Sequence, residues 1–356
     1  MWPNSRLCDL FRIEHPIIQA PMAGSATPAL AAAVSNAGGL GSLGCGSMTA
    51  DELKSAVAEL RAGTNRPFNL NFFVHPAPRT DDAVLARTIE RLAPYYKDCG
   101  LGAPADSLPP MGPGFDAAKL ALLLDIKPAV VSFHFGLPPA GMMATLKQAG
   151  ILLLSTATTV AEARALAKGG VDAVIAQGWE AGGHRGSHHP TAPDEGVGTM
   201  ALVPQVADAI DLPVIAAGGI GDGRGIAAAF ALGASGVQMG TGFLSCREAG
   251  TDEIRRELIR RASETDTMVT AAYSGRSARA KRTRYATEME GRRMSLPDFP
   301  SMYVLSEPLG TENEDFAFHI YGQTAPMNRE LPAAELMQRL VAEVASAFGS
   351  LRGSLK

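Results

Sequence analysis

Three carboxamides, two histidines and a set of glycines are the groups in this chain best suited to chemistry. His184 stands in EAGGHRG, where small neighbours leave the backbone open to a flat molecule. An imidazole with an ordinary pKa of about 6.5 suits proton abstraction beside an electron-withdrawing group, and it can equally donate a hydrogen bond; a solvated loop histidine is the plain alternative. His134, inside AVVSFHFG, reads as a pocket-lining group or as a core histidine with a satisfied partner. Asn71, Gln177 and Gln238 each fall at the end of an apolar run and form a neutral amide ladder for a polar ring system.

Glycines crowd the segment AAGGIGDGRG, with Gly218 and Gly219 just ahead of a helical stretch, and the later run GVQMGT ends in Gly240 and Thr241. Backbone N–H groups at such turns, together with the partial positive charge of a helix N-terminus, suit one phosphate; tight turns without a ligand are the bland reading. One phosphate beside a polar ring system fits flavin mononucleotide (FMN) better than a dinucleotide. Other chemistries lack their parts. No lysine sits in a G-K-[ST] loop and no G-x-S-x-G elbow is present. His184, His188 and His189 lie in a Gly/Ser loop without a completing ligand set, so no metal is expected.

These residues need a scaffold that brings strand ends together. Apolar runs begin at Ile17, Gly39, Phe68, Ala129, Ile151, Asp172, Val214 and Gly236, and Ala/Leu-rich helical stretches alternate with them. About eight such units close a parallel barrel, a (β/α)8 TIM barrel whose reactive face is the rim at the strand C-terminal ends. An open doubly wound sheet is the rival, but no G-x-G-x-x-G opens an early helix. The stretch from His75 to Lys127 exceeds what one crossover helix needs and is expected to extend over the barrel mouth. We therefore expect a barrel over residues 1–245, a smaller capping or substrate domain over 246–323, and a C-terminal helix over 324–356 that returns to the barrel. The basic cluster Arg276, Arg279, Lys281, Arg282 and Arg284 reads as a solvated or interdomain face.

Composition bounds the function classes. With 32 Lys and Arg against 36 Asp and Glu the formal charge is −4, which leaves no polycationic surface for nucleic acid. The four cysteines (Cys8, Cys45, Cys99 and Cys246) are scattered, so no disulfide framework is indicated. No run has the length of a membrane span and no signal-like start is seen, so a cytoplasmic protein is expected.

The segments PIIQAPMAG, NFFVHP, SFHFGLP, AQGWEAGGHRG, PVIAAGGIGDGRG, VQMGTGFL and YGQTAPMNRELPAAEL follow one another along nearly the whole chain. In this order they resemble the nitronate monooxygenases, formerly called 2-nitropropane dioxygenases, which are FMN-dependent barrels. The resemblance implies oxidation of an alkyl nitronate, such as propionate 3-nitronate, by dioxygen. Single-electron transfer to the flavin would give a carbonyl compound and nitrite. By motif position it implies FMN contacts at Pro21, Met22, Asn71, Gln177, Gly182, Gly218, Gly219, Gln238, Met239, Gly240 and Thr241, a catalytic His184, and His134 in the substrate pocket. The lid departs from the family pattern: Phe299 stands where a hydroxyl is expected, which leaves Tyr303 and Tyr321 as pocket candidates and the substrate open. Two rival readings remain, an NAD(P)H-dependent reductase on the same barrel and a non-catalytic barrel that binds a phosphorylated metabolite.

Overall fold

A computed structural model describes residues 2–79, 81–189, 196–290 and 295–353. Eight parallel strands carry the architecture: β1 (Ile17–Gln19), β2 (Gly41–Gly44), β3 (Phe68–Phe73), β4 (Val130–His134), β5 (Leu152–Ala157), β6 (Ala173–Gln177), β8 (Val214–Ala217) and β9 (Gly236–Met239). Between β6 and β8 lies a two-residue strand, β7 (Gly183–His184), and beyond the barrel come β10 (Thr267–Thr270) and β11 (Ala278–Lys281). The large sheet runs β1-β9-β8-β6-β5-β4-β3-β2, and a parallel bridge between Ile18 and Leu40 joins its two ends. The expected (β/α)8 barrel is therefore the fold. Its strands are buried on both faces, which is why they read as continuous apolar runs and not as alternating ones.

Helices form where N-cap residues stand ahead of Ala/Leu-rich stretches. Thr27 caps Pro28–Asn36, Thr159 caps Val160–Lys168, and Thr49 with Glu52 makes a reciprocal capping box on Ala50–Gly63. Packing between helix and strand is tight at Gly41. A methyl group there would lie 2.0 Å from the carbonyl oxygen of Ala31 and 2.6 Å from its carbonyl carbon. Neither backbone can yield, so Gly41→Ala should lower the unfolding free energy by about 3 kcal/mol or more. Urea unfolding of the variant beside wild type measures it, and an unchanged midpoint would contradict this packing.

A second core sits beside the barrel. Leu85, Leu92, Tyr95 and Tyr96 of the helix Asp82–Asp98 pack with Met268, Tyr273, Tyr285, Leu305 and Phe316. The long stretch after β3 thus contributes that helix to the second core, and it then returns through the helix Ala117–Ile126 to the barrel. The helix Ala333–Gly353 buries Leu336, Leu340 and Val344 in the main core. Among the described residues no helix is long and apolar enough to cross a membrane.

Two arginines of the basic cluster differ from a solvated face. Arg276 and Arg279 are buried, at 4% and 3% exposure. Arg276 stacks 3.6 Å from the centroid of Phe135, and Arg279 donates from Nε and Nη2 to the carbonyl of Trp179. Long aliphatic stems and planar heads let these side chains join the two cores. Arg282 and Arg284 are exposed.

Candidate active site

The loop after β6 carries His184, and two sheets hold it. β7 pairs antiparallel with β11, with His184 opposite Ala278, so a strand of the second unit fixes the backbone of the candidate base. From the barrel side, the carbonyl of His184 accepts from Gln177 Nε2 at 3.0 Å and from His134 Nε2 at 3.0 Å. Gln177 Oε1 in turn accepts from the backbone N–H of Gly186 at 2.8 Å and from Arg185 Nη1 at 3.2 Å. The Arg185 guanidinium also donates to the carbonyl of Gly178 at 2.6 Å. The loop is thus tied at four consecutive positions.

His134 is defined by what its nitrogens face. A carbonyl oxygen can only accept, so Nε2 carries the proton, and Nδ1 is left to accept from the Thr156 hydroxyl at 3.0 Å. Both nitrogens are spent inside the protein, so His134 positions the His184 loop and offers no polar atom of its own to a substrate. Burial pulls its pKa down to about 3, with the nearby Arg276 charge adding to the effect against the raising influence of the His184 carbonyl. His184 is likewise pulled down to about 3, first by burial and then by His134 and Arg276. It keeps some accessible surface, yet protein surrounds it on most sides. Near neutral pH both imidazoles are uncharged.

Aromatic rings line the space around His184. Phe299 lies edge-on at 5.2 Å, Phe73 and Phe135 at 5.9 Å, Phe318 at 6.1 Å and Tyr303 at 6.5 Å between centroids. Phe73 and Phe135 stack on each other at 5.0 Å, and Phe135 holds a φ of +77°, uncommon for a bulky residue. Tyr303 is brought to this wall, and burial raises its phenol pKa well above the ordinary value. Tyr321 goes elsewhere: its ring packs with Leu244, Ile259 and Ala325, while its backbone lies against Gly182.

The amide ladder meets the barrel mouth with one member left over. Asn71 donates through Nδ2 to both the carbonyl and the hydroxyl of Ser132. Gln177 is largely committed to the loop, as described. Gln238 Oε1 is buried and accepts from nothing among the described residues. A buried acceptor without a donor is costly, so this atom suits a bound group that brings an N–H. The glycine-rich turn needs a correction to its expected physics. Asp222 takes the N–H groups of Arg224 and Gly225, and Glu343 takes that of Gly223, so the helix Gly223–Ala231 has its first donors occupied. In the turn before it, Gly218 and Gly219 hold φ of +100° and +71°. Thr241 Oγ1 accepts from Gly322 N–H at 2.8 Å, which draws the segment after Tyr321 onto the end of β9, close to Pro21 and Met22 after β1 and to Met239 and Gly240.

Ser274, Thr156, Phe73, Phe135 and Phe318 were not foreseen as part of this site. Phe73 and Phe135 lie inside the segments NFFVHP and SFHFGLP but carry no polar atom to mark them, and Ser274 is 90 residues from the histidine it contacts.

A family model for nitronate monooxygenase matches residues 4–343. A nitronate monooxygenase from Paraburkholderia phytofirmans is 47% identical, over 97% of this chain and 96% of its own length. One from Pseudomonas aeruginosa is 44% identical, over 96% of this chain and 99% of its own. Among solved structures, nitroalkane oxidase from Streptomyces ansochromogenes superposes with a TM-score of 0.86 at 40% identity, covering 98% of this chain and all of that one. FabK from Thermotoga maritima gives a TM-score of 0.75 at 34% identity, covering 98% of each chain.

Proposed function

The chain belongs to the nitronate monooxygenase family, and from that premise we propose that it is an FMN-dependent enzyme oxidising alkyl nitronates, such as propionate 3-nitronate, with dioxygen to a carbonyl compound and nitrite. The observation that carries this reading is an uncharged imidazole, His184, held at the barrel rim in an aromatic surround and beside an amide oxygen that lacks a donor.

Bound FMN would accept an electron from the substrate and deliver reducing power to dioxygen. Gln238 Oε1 fits an N–H of the flavin ring, Asn71 and the remaining N–H of Gln177 fit its other polar edge, and Pro21, Met22, Gly182 and Met239 would pack against it. Main-chain N–H groups at Gly218, Gly219, Gly240 and Thr241 would hold the phosphate. The chain's own residues do the rest. For a neutral nitroalkane, His184 takes the α-proton; a nitronate has already lost it and needs no base there. Phe73, Phe135, Phe299 and Phe318 exclude water from the reacting carbon. His134 and Gln177, through the carbonyl of His184, keep the imidazole in register.

The test is a visible spectrum of the purified protein followed by anaerobic titration with propionate 3-nitronate and, separately, NADH. A flavin spectrum bleached by the nitronate, with nitrite released in air, is the expected result. A colourless protein that does not take up FMN would overturn the proposal, and bleaching by NADH alone would favour the reductase reading.

A further inference from the structure

One hydroxyl decides which nitrogen of His184 can act. His184 Nε2 lies 2.9 Å from Ser274 Oγ, and Ser274 itself is 1% exposed. A serine hydroxyl has a single proton, and the carbonyl of Arg276 at 3.0 Å can only accept, so we assign the proton there; the N–H of Arg276 at 3.3 Å and the Tyr303 side chain also approach Oγ. The lone pairs of Oγ are left to accept, one of them facing the imidazole. Nε2 must then bring the hydrogen, and a neutral imidazole has only one. Nδ1 is bare: it has no hydrogen-bond partner among the described residues and is not one of the fully buried polar atoms.

The turn that carries Ser274 is held by the second unit. Ser306 Oγ donates to the carbonyl of Tyr273 at 2.6 Å, and the Tyr285 hydroxyl donates to that of Ala272 at 2.9 Å. Gly275, at φ +81°, is so close to the carbonyl of Pro297 that a Cβ would lie 2.2 Å from it. The hydroxyl is therefore fixed in place.

We propose that Ser274 is a positioning residue that holds His184 as its Nε2–H tautomer, so that Nδ1 is the atom that receives the α-proton of a neutral nitroalkane. This rests on the reading of the site given above. In that step the C–H bond breaks, its electron pair becomes the C=N bond of the nitronate with charge on the nitro oxygens, and the proton forms the N–H of an imidazolium. The bond from Nε2 to Ser274 persists throughout and becomes charge-assisted.

The test uses the holoenzyme labelled with 15N-histidine. Long-range 1H–15N spectra report which ring nitrogen is protonated, and the signals that vanish in His184→Asn identify the residue. Wild type should show His184 with Nε2 protonated and Nδ1 bare. Ser274→Ala should show mixed or reversed tautomers and lose about ten-fold or more in turnover of nitroethane, while ethyl nitronate, which needs no base, is turned over within about two-fold of wild type. Ser274→Thr, which keeps the hydroxyl, should restore the tautomer. A wild-type His184 protonated at Nδ1 would overturn the proposal, as would a Ser274→Ala protein with an unchanged tautomer. The wild-type spectrum answers the tautomer question even if the variant folds poorly. An Nε2–H imidazole that switches in Ser274→Ala supports the placement even where wild type releases no nitrite from ethyl nitronate, a result that would overturn the function reading instead.

Discussion

His184→Asn should lose about 10²–10⁴-fold in turnover of neutral nitroalkanes while remaining within about ten-fold of wild type on the matching nitronates. The asymmetry follows from what asparagine can do. Its amide fills much of the space of the imidazole and leaves the site open to a nitronate, which needs no base, but it cannot accept an α-proton. The surrounding loop should survive the change. Gln177 and His134 grip the carbonyl of residue 184 and not its side chain, and β7 pairs through the backbone. Nitrite release from nitroethane and from ethyl nitronate, measured on protein of equal flavin content, separates the two substrates. Deuterium at the α-carbon should slow wild type on the neutral substrate. A variant that keeps full activity on nitroethane would remove this imidazole from proton transfer.

The barrel was legible because its strands are enclosed on both faces. Runs such as VVSFH and LLLSTA have no choice but to be apolar, and a Gly-containing turn or a capping Thr ends each unit. The rim histidine was legible for a related reason, since glycines around a polar residue at a strand end have few other uses. What the sequence hid is pairing across distance. β7 is two residues long and has no periodicity to read; it exists because β11, far along the chain, supplies the hydrogen bonds. The same distance concealed Ser274. For Arg276 and Arg279 the sequence left a solvated and an interdomain face both open, because charge suggests water and only the fold reveals the carbonyls and ring faces that replace it. The helix Asp82–Asp98 gave a weak signal, as its buried face is completed by residues of the second core.

The second large effect is on stability, and it follows from the same neutral histidines. His134 and His184 are held near 3 in the folded protein, against about 6.5 in an unfolded chain. Between those values the unfolded state binds more protons than the folded one, so unfolding becomes easier as pH falls. The associated stability is complete above about pH 6.5 and drains away as pH drops below it, until the folded-state pKa is reached. Each histidine accounts for about 1.4 kcal/mol per pH unit in that window, so the pair removes roughly 3 kcal/mol for each unit. His75, also lowered by burial, acts in the same direction. Two units of acidification therefore remove several kcal/mol, a large part of the about 5–15 kcal/mol stability of an ordinary domain. Urea unfolding at pH 7.5, 6.5, 5.5 and 5.0 should show a midpoint that holds at the upper two values and then falls steeply. In His134→Gln the fall should be shallower by roughly 1.4 kcal/mol per pH unit, because one of the titrating rings is gone, although the variant starts from a lower midpoint. A midpoint that stays level from pH 7.5 to 5.0 in wild type would mean that neither imidazole is held neutral in the folded protein. The neutral base at the centre of the proposed chemistry would then be lost with it.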